Sequence, residues 1–322
     1  KLTNRKHAIA VSNGTAAIDI SIEALNFKKG DEIILPAHTI ISCVNHIIRS
    51  GFKAVFVDSN YETWNMDINA IESKITSKTK AIMVVHTYGL PVEMKKVILL
   101  AKKYDLKIIE DSAEMIGQKY LSQPCGSFGD VSTLSFYPNK HITTGEGGMC
   151  LTNDDLIAEK CRSLRNLCFS TPRFVHHNLG WNYRMTNMQA ALGLAQSERI
   201  NDIILRKREI GLRYNSNLHS LSNNLDFSPT ITSYAENIFW VFGICIKSKM
   251  SYNAVDIMQK LHKRGIGSRP FFYSLNKQPV FEKMKLFQNE EYPISELMSK
   301  NGFYLPSGLA ITNNQIDYVS NS

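Results

Sequence analysis

The chain has 322 residues, of which 43% are apolar and 20% charged, so its composition is that of an ordinary globular protein. This length allows one large domain and a smaller one, each with its own core. The net charge of +8 does not indicate nucleic-acid binding, because lysines and arginines are spread along the chain without a dense basic stripe. We also expect no membrane contact and no secretory leader, since the apolar runs are short.

Six cysteines are scattered along the chain without a CxxC pair. Zinc sites and disulfide frameworks both need tighter spacing, so we expect reduced thiols, a cytoplasmic location and no metal. The sequence starts at Lys1, without a methionine and shortly before a predicted strand, so we expect further residues upstream.

Short β-branched segments alternate with helical patterns in the first part of the chain. The predicted strand–helix pairs are Ala8–Val11 with Thr15–Leu25, Glu32–Leu35 with Ser42–Arg49, Ala54–Val57 with Asp67–Ile75, and Ala81–Val85 with Met94–Tyr104. A further strand is predicted at Lys107–Ile109. Repeated units of this kind favour a mostly parallel sheet between layers of helices.

Two further predicted strands, Val131–Phe136 and Met149–Leu151, are too close together for a helix between them. A hairpin-like loop that contains Lys140 must therefore join them. The remaining segments are predicted as helical from Asp154 to about Arg208 with a break at Gly180–Met185, as a β-rich run at Ile238–Ile246, and as an amphipathic helix at Ala254–Arg264. We predict an α/β domain over residues 1–205 and a smaller α+β domain over residues 206–322.

Gly14 and Thr15 lie between the first predicted strand and helix. The N-terminus of a helix offers unpaired N–H groups and the positive end of the dipole, which suit a phosphate group. The absence of a side chain at Gly14 allows close approach, and Thr15 adds a hydroxyl. An N-cap role for Thr15 is the alternative.

Asp111 follows the strand segment that starts at Lys107, where ligands of open α/β sheets bind. A carboxylate there can keep a pyridine nitrogen protonated, and the alternative is a helix cap before Ser112. Glu110 is the competing carboxylate, but strand alternation places it on the opposite face.

Lys140 lies in a loop that begins at Ser135 and contains Gly145, Gly147 and Gly148. Three glycines among four residues allow a sharp fold that can hold a lysine over a cofactor. A single lysine is most often a surface residue. The order of a Gly-Thr turn, a strand-end Asp and a Ser followed by Lys changes that expectation.

With these motifs, the chain resembles the sugar aminotransferases of the DegT–DnrJ–StrS family, which are fold-type I enzymes dependent on pyridoxal 5′-phosphate (PLP). Matching segments run almost from end to end: Ser12–Ala17, Gly30–Pro36, His86–Pro91, Glu110–Glu114, Ser135–Lys140, Gly180–Asn187 and Gly302–Gly308. The resemblance implies a large domain with a mostly parallel mixed sheet and a smaller α+β C-terminal domain.

By position, the resemblance implies that Lys140 is the catalytic lysine that carries PLP as a Schiff base and that Asp111 is the partner of the pyridine nitrogen. Gly14, Thr15 and Ser135 would then bind the phosphate. Glu114 falls near the ring hydroxyl. Asn182 matches an asparagine that reaches the cofactor phosphate of the neighbouring subunit, which implies a homodimer with shared active sites.

The resemblance also implies a reaction in which glutamate donates an amino group to C4 of a nucleotide-linked 4-keto-6-deoxy sugar. The segments at Ser268–Tyr273, Gln278–Phe281 and Tyr304–Gly308 resemble a subgroup that acts on GDP-4-keto-6-deoxy-mannose for O-antigen or related surface glycans. A UDP-linked sugar is the nearest alternative.

Two departures from the family pattern concern the site. Ile40 stands where many relatives have an aromatic residue stacked on the cofactor ring, so only apolar contact is expected there. His141 follows Lys140 directly, and family members that act as sugar 3-dehydratases carry a histidine in place of the lysine. A dehydratase and a non-catalytic regulatory protein therefore remain as alternatives.

Overall fold

The computed structural model describes residues 2–322 and contains a seven-stranded mixed sheet. Its strands and a small hairpin in chain order are β1 (His7–Val11), β2 (Glu32–Pro36), β3 (Lys53–Val57), β4 (Thr79–Val85), β5 (Lys107–Asp111), the hairpin β6 (Lys119–Tyr120) and β7 (Gln123–Pro124), β8 (Val131–Ser135) and β9 (Gly148–Thr152). The order across the sheet is β1-β9-β8-β5-β4-β2-β3. Only β9 runs against the other strands, since it pairs antiparallel with both β1 and β8.

Ten α-helices cover and extend this sheet within the described residues. They are α1 (Gly14–Ala24), α2 (Ser42–Arg49), α3 (Met94–Lys103), α4 (Asp155–Leu164), α5 (Asn187–Ser197), α6 (Ile200–Leu218), α7 (Ala254–Lys263), α8 (Pro279–Lys283), α9 (Pro293–Asn301) and α10 (Asn313–Ser320). None of these helices is both long and apolar enough to cross a bilayer.

Both faces of the large sheet are buried, as the runs of apolar residues predict for parallel strands. Along β2, Ile33 and Leu35 pack on one side with α1 and α2, and Ile34 packs on the other side with residues of α3. The same alternation continues in β4. The α/β class with a mostly parallel mixed sheet is therefore confirmed.

The second half of the chain forms a smaller antiparallel sheet. Its strands are β10 (Leu225–Phe227), β11 (Phe242–Ile246), β12 (Arg269–Pro270) and β13 (Gly302–Leu305), in the order β10-β11-β13-β12. Tyr214 of α6 and Ile316 of α10 are buried against this sheet. The boundary between residues 205 and 206 stays a prediction, and α6 passes through it.

Three predicted elements differ from the structure. The segment Asp67–Ile75 forms two short 3₁₀ turns, Ile68–Ala70 and Glu72–Lys74, in place of an α-helix. The spacing of three between Ile68 and the buried Ile71 suits the three-residue turn of a 3₁₀ helix.

The predicted strand at Ile238–Ile246 is shorter than expected. Regular strand begins only at Phe242, because Phe239 adopts a φ of 48° that breaks the extended backbone. The helical stretch after Asp154 is also interrupted for longer than Gly180–Met185, since α4 ends at Leu164 and α5 begins at Asn187.

Glu110 connects β5 to the loop that precedes β8. Its carboxylate is fully buried and accepts hydrogen bonds from the N–H groups of Gly126, Phe128 and Gly129 and from the side chains of Ser132 and His86. Burial alone would raise the pKa of Glu110, but His86 and these N–H groups outweigh it and lower the pKa to about 2.

We expect Glu110→Gln to destabilise the fold by about 3 kcal/mol at about pH 7, because an amide NH₂ would face backbone donors. A depressed pKa means that the carboxylate contributes stability above its unfolded-state pKa and loses it as pH falls towards about 2. The difference in the free energy of unfolding between variant and wild type, measured with urea, should therefore be smaller at about pH 3 than at about pH 7. The exposed Glu159→Gln is the control, and a gap that is independent of pH would contradict this role of Glu110.

Candidate active site

A cavity of about 510 Å³ lies at the edge of the large sheet where the parallel strands end. Its walls contain residues just beyond or at the ends of β1, β4, β5 and β8. Six of the seven predicted site residues line it together: Gly14, Thr15, Asp111, Glu114, Ser135 and Lys140. They come from separate parts of the chain and meet because strand ends share one edge of the sheet.

One corner of the cavity is formed by the turn from β1 to α1. Asn13 is the N-cap of α1, and its side chain accepts the N–H of Ala16 at 2.8 Å. The alternative N-cap role of Thr15 is therefore wrong. The N–H groups of Gly14 and Thr15 precede the first intrahelical bonds and remain for an outside acceptor.

Gly14 is needed at this corner because Ser135, at the end of β8, lies directly against it. A Cβ at position 14 would lie 2.9 Å from the Ser135 Cβ, which is closer than real side chains approach. The hydroxyl of Thr15 lies 2.9 Å from the hydroxyl of Ser42. Backbone donors and three hydroxyls thus surround a space at the positive end of a helix, which suits an anion.

Asp111 is the last residue of β5 and is buried. Its Oδ1 accepts the N–H of Ala113 at 3.0 Å and the Thr133 hydroxyl at 3.1 Å, and its Oδ2 accepts the Cys43 thiol at 3.3 Å. No α-helix begins at Ser112, so the helix-cap alternative is wrong. Three donors orient this carboxylate towards the cavity that it lines.

Glu114 and Lys140 face each other across the cavity. The Lys140 Nζ lies 3.5 Å from the Glu114 Oε1, and the Glu114 Oε2 accepts the N–H of Tyr88 at 2.7 Å. Burial raises the pKa of Glu114 to about 7, against the opposing effects of Lys140 and Tyr88, and the charge of Asp111 adds to the rise. Glu114 can therefore gain or release a proton near neutral pH.

Lys140 is held on a compact loop between β8 and β9. Within that loop Phe136 N–H donates to the Gly147 carbonyl at 2.8 Å, and Gly145 has a φ of 77° that favours glycine. The hairpin-like connection is confirmed, since β8 and β9 pair antiparallel. The side chain of Lys140 is only 11% exposed.

Trp240 is a site residue that the sequence patterns did not indicate. Its ring centroid lies 3.9 Å from the Lys140 Nζ, and its Nε1 donates to the Asn139 carbonyl at 2.8 Å. The ring therefore covers the ammonium group and holds the loop beside it. Trp240 was missed because it falls in a segment predicted as strand, 100 positions from its partner.

Cys43 and Thr133 were also missed as partners of Asp111. Thr133 is the neighbour of Asp111 in the pairing of β5 with β8, so the strand register would have indicated it. Cys43 lies in the first turn of α2, and only the packing of α2 against the strand ends brings its thiol to Asp111.

Asn182 does not line the cavity of its own chain, and its side chain is exposed. Its predicted contact with the neighbouring subunit's cofactor remains a prediction. Ile40 does line the cavity and is 45% exposed, so it presents an apolar face without aromatic stacking.

The residues of this cavity fit PLP. Its phosphate matches the corner at Gly14, Thr15 and Ser135, where a Cβ at position 14 would remove the space. Its pyridine nitrogen matches Asp111, and its aldehyde requires a buried lysine such as Lys140. Together with the large mixed sheet, these groups define a PLP-dependent enzyme of fold type I.

The chain matches the DegT/DnrJ/EryC1/StrS aminotransferase family over residues 1–322, and it belongs to that family. Two curated relatives are named GDP-perosamine synthase. The one from Escherichia coli O157:H7 is 40% identical over 98% of this chain and 85% of its own length, and the one from Vibrio cholerae is 37% identical over the same shares.

A solved structure of Helicobacter pylori PseC, an aminotransferase involved in the biosynthesis of pseudoaminic acid, superposes with a TM-score of 0.93. It is 25% identical, and the superposition covers 99% of this chain and 86% of that one. The chain is therefore a PLP-dependent sugar transaminase.

We expect Lys140→Ala to shift the visible absorption band that the purified protein shows with PLP to that of free PLP, because no covalent link to the cofactor can form. Bound PLP should still be detectable by ultrafiltration, since the phosphate corner and Asp111 remain. Absorption spectra of the two proteins provide the measurement. Lys119→Ala, an exposed substitution, is the control, and unchanged absorption in Lys140→Ala would contradict the assignment.

Proposed function

We propose that this chain transfers an amino group from glutamate to C4 of GDP-4-keto-6-deoxy-mannose and so forms GDP-perosamine. The observation that carries the proposal is the 40% and 37% identity to proteins named GDP-perosamine synthase over nearly the whole chain. The complete set of cavity residues around Lys140 supports catalysis. The product would serve O-antigen or related surface polysaccharides, and a UDP-linked 4-keto-6-deoxy-hexose is the second candidate.

Bound PLP supplies an electron sink that stabilises negative charge next to the reacting carbon. Asp111 would maintain this sink by keeping the pyridine nitrogen protonated, since its carboxylate is already oriented by Ala113, Thr133 and Cys43. Gly14, Thr15 and Ser135 would hold the phosphate of PLP. They would thereby fix the position of its ring relative to Asp111 and Lys140.

Lys140 would move the proton between the donor Cα and the cofactor carbon, as a general base must lie within reach of both. When its Nζ is free, Glu114 at 3.5 Å and the Trp240 ring at 3.9 Å keep it beside the reacting atoms. The nearly closed position of Lys140 limits competition by water.

The alternative of a sugar 3-dehydratase has less support. Lys140 lines the cofactor cavity, whereas His141 is directed away from it and lines a different cavity. The histidine therefore does not take the place of the lysine. A purely regulatory role also has little support, because the charged groups of the cavity are complete and mutually oriented.

The proposal includes a homodimer with shared active sites. Large apolar side chains are exposed along the segment that also carries Asn182, with Leu179 93%, Met188 79% and Phe174 71% exposed. Exposed apolar residues concentrated in one segment indicate a protein interface. A second copy of the chain on this segment would bring its Asn182 towards the phosphate corner. The six buried, unpaired cysteines suit a reducing cytoplasmic location.

The substrate is tested by incubating the PLP-loaded enzyme with glutamate and a panel of GDP- and UDP-linked 4-keto-6-deoxy sugars. We expect amination of the GDP-linked mannose derivative, seen as a mass change and as formation of 2-oxoglutarate. Lys140→Ala is the negative control. Turnover of UDP-linked sugars alone would show that GDP is the wrong nucleotide. Loss of the 3-hydroxyl without amination would identify a dehydratase.

Shared active sites are tested by complementation. Mixed dimers of Lys140→Ala and Asn182→Ala chains should contain one intact site, so random mixing should restore about a quarter of wild-type activity. Lys140→Ala mixed with Asp111→Ala is the matched control, because both residues belong to the same chain's site. Equal activity of the two mixtures would contradict sharing through Asn182.

A further inference from the structure

Lys207 of α6 is buried, with 7% exposure, and is not among the residues that line the cofactor cavity. Its Nζ donates hydrogen bonds to the carbonyls of Trp240 and Ser307, each at 2.7 Å. Burial lowers the pKa of Lys207 to about 7, and no carboxylate within residues 2–322 offsets that effect. A buried ammonium without a carboxylate is costly, and such groups are frequent at functional sites. The two carbonyls that it binds therefore indicate its role.

These carbonyls lie where the pairing of β11 with β13 stops. Phe242 and Leu305 are the last paired residues at this end of the two strands. Trp240 lies two residues before Phe242 and Ser307 lies two residues after Leu305, so the antiparallel register would place them opposite each other. The Lys207 Nζ bridges their carbonyls in place of backbone pairing. It thereby holds the two strand ends together.

Trp240 extends this contact to the catalytic lysine. Its ring centroid lies 3.9 Å from the Lys140 Nζ, and its Nε1 donates to the Asn139 carbonyl at 2.8 Å. The residue is only 4% exposed, so it is packed on all sides. Lys207 thus holds the backbone end of Trp240, and the loop of Lys140 holds the indole end. A shift of the Trp240 backbone would move the ring that covers the Lys140 ammonium.

We propose that Lys207 is a positioning residue that acts on Lys140 through the Trp240 ring, without contact to the cofactor. The inference rests on one part of the proposed function, the binding of PLP by Lys140, and does not depend on the sugar or the nucleotide. Without Lys207, Trp240 would be held at one end only, and Lys140 would vary in position relative to the reacting carbon. Small displacements of reacting groups are enough to slow a reaction strongly.

The strength of this contact should change near neutral pH. Since the pKa of Lys207 is about 7, its Nζ is an ammonium below that pH and an amine above it. Both forms can donate to two carbonyls, but hydrogen bonds from a charged donor are about twice as strong. His141, Lys140 and Arg269 line the same cavity as Lys207, and the pKa of His141 is lowered to about 3 by burial and by Lys207, so His141 stays neutral. Glu114, which faces Lys140, has a pKa of about 7 and titrates in the same range.

The test replaces Lys207 and follows the bound cofactor without any sugar. Lys207→Met keeps an apolar stem and removes both hydrogen bonds and the charge. We expect weaker visible circular dichroism of bound PLP, because the ring is held less firmly, and an about tenfold slower single-turnover reaction with glutamate. Lys207→Arg, which keeps the charge and the donors, should restore most of both signals. Lys207→Gln, which keeps N–H donors without the charge, is the second variant and should show an intermediate loss.

Tyr214→Phe is the matched control. Tyr214 lies seven residues after Lys207 on the same face of α6, and its hydroxyl donates to the Pro306 carbonyl at 2.8 Å. The substitution removes a buried hydrogen bond to the same turn but leaves the Trp240 carbonyl bound. It should lower stability to urea without changing the dichroism or the glutamate reaction. An equal loss in Tyr214→Phe and Lys207→Met would show a purely structural role and overturn the inference.

A double-mutant cycle tests whether Lys207 acts through Trp240. After Trp240→Leu, the further change Lys207→Met should have little effect on the glutamate reaction, and additive effects would overturn the inference. The ratio of wild-type to Lys207→Met rates should be larger at about pH 6 than at about pH 8.5, and a constant ratio would contradict the pH dependence. The titration of Glu114 is common to both proteins and cancels in this ratio.

These outcomes are separate from the choice of substrate. Unchanged dichroism and rate in folded Lys207→Met protein would reject the positioning role and leave the proposed amination standing. Failure to aminate any GDP- or UDP-linked sugar would reject the proposed substrate and leave the Lys207 results unaffected. Wild-type absorption of Lys140→Ala with PLP would reject the catalytic lysine and the positioning role together.

Discussion

The alternation of side chains at the end of β5 organises the active site. Glu110 and Asp111 are adjacent acidic residues, and strand geometry sends them to opposite faces of the sheet. The Glu110 carboxylate points into the protein and accepts hydrogen bonds from N–H groups of the loop at residues 126–129. Asp111 turns towards the cofactor cavity. The first carboxylate fixes the strand end and the approach to β8, and the second is presented to the cavity from that fixed position.

The electrostatics of the cavity depend on the same arrangement. Asp111, Glu114 and Lys140 are brought together out of water, where charges interact more strongly than at the surface. The pKa of Glu114 rises to about 7 because burial and Asp111 outweigh Lys140. The Trp240 ring covers the Lys140 ammonium, and its Nε1 holds the loop through a hydrogen bond to the Asn139 carbonyl. The Lys140 ammonium is thus confined between Glu114 and the Trp240 ring.

Lys140 lines two neighbouring cavities. One cavity contains the corner at Gly14 and Asp111, and the other, of about 660 Å³, contains Lys207 and His141. Trp240 lies in both walls, and its carbonyl is one of the two that Lys207 binds. A contact from α6 in the second half of the chain therefore supports the residue that covers Lys140. The position of Lys140 thus depends on a contact between α6 and Trp240.

Most of the large sheet could be predicted because its strands are short apolar runs that are separated by helical patterns. The same rule failed at Asp67–Ile75, where an apolar spacing of three produced 3₁₀ turns. It also failed at Ile238–Ile246, where a β-rich segment leaves the strand conformation at Phe239. The first error follows from the local spacing of apolar residues, and the second from the left-handed backbone of a single residue.

The order of Gly14, Asp111, Ser135 and Lys140 along the chain predicted the class of cofactor through its resemblance to a known family, and the strand pattern predicted that these residues lie at one edge of the sheet. The contacts of Trp240, Cys43 and Lys207 could not be predicted in this way. They join segments that are far apart in sequence, and their distances depend on how helices and loops pack around the strand ends. Strand order and residue type are local properties of a sequence, whereas the partners of a buried charge are decided only when distant segments pack together.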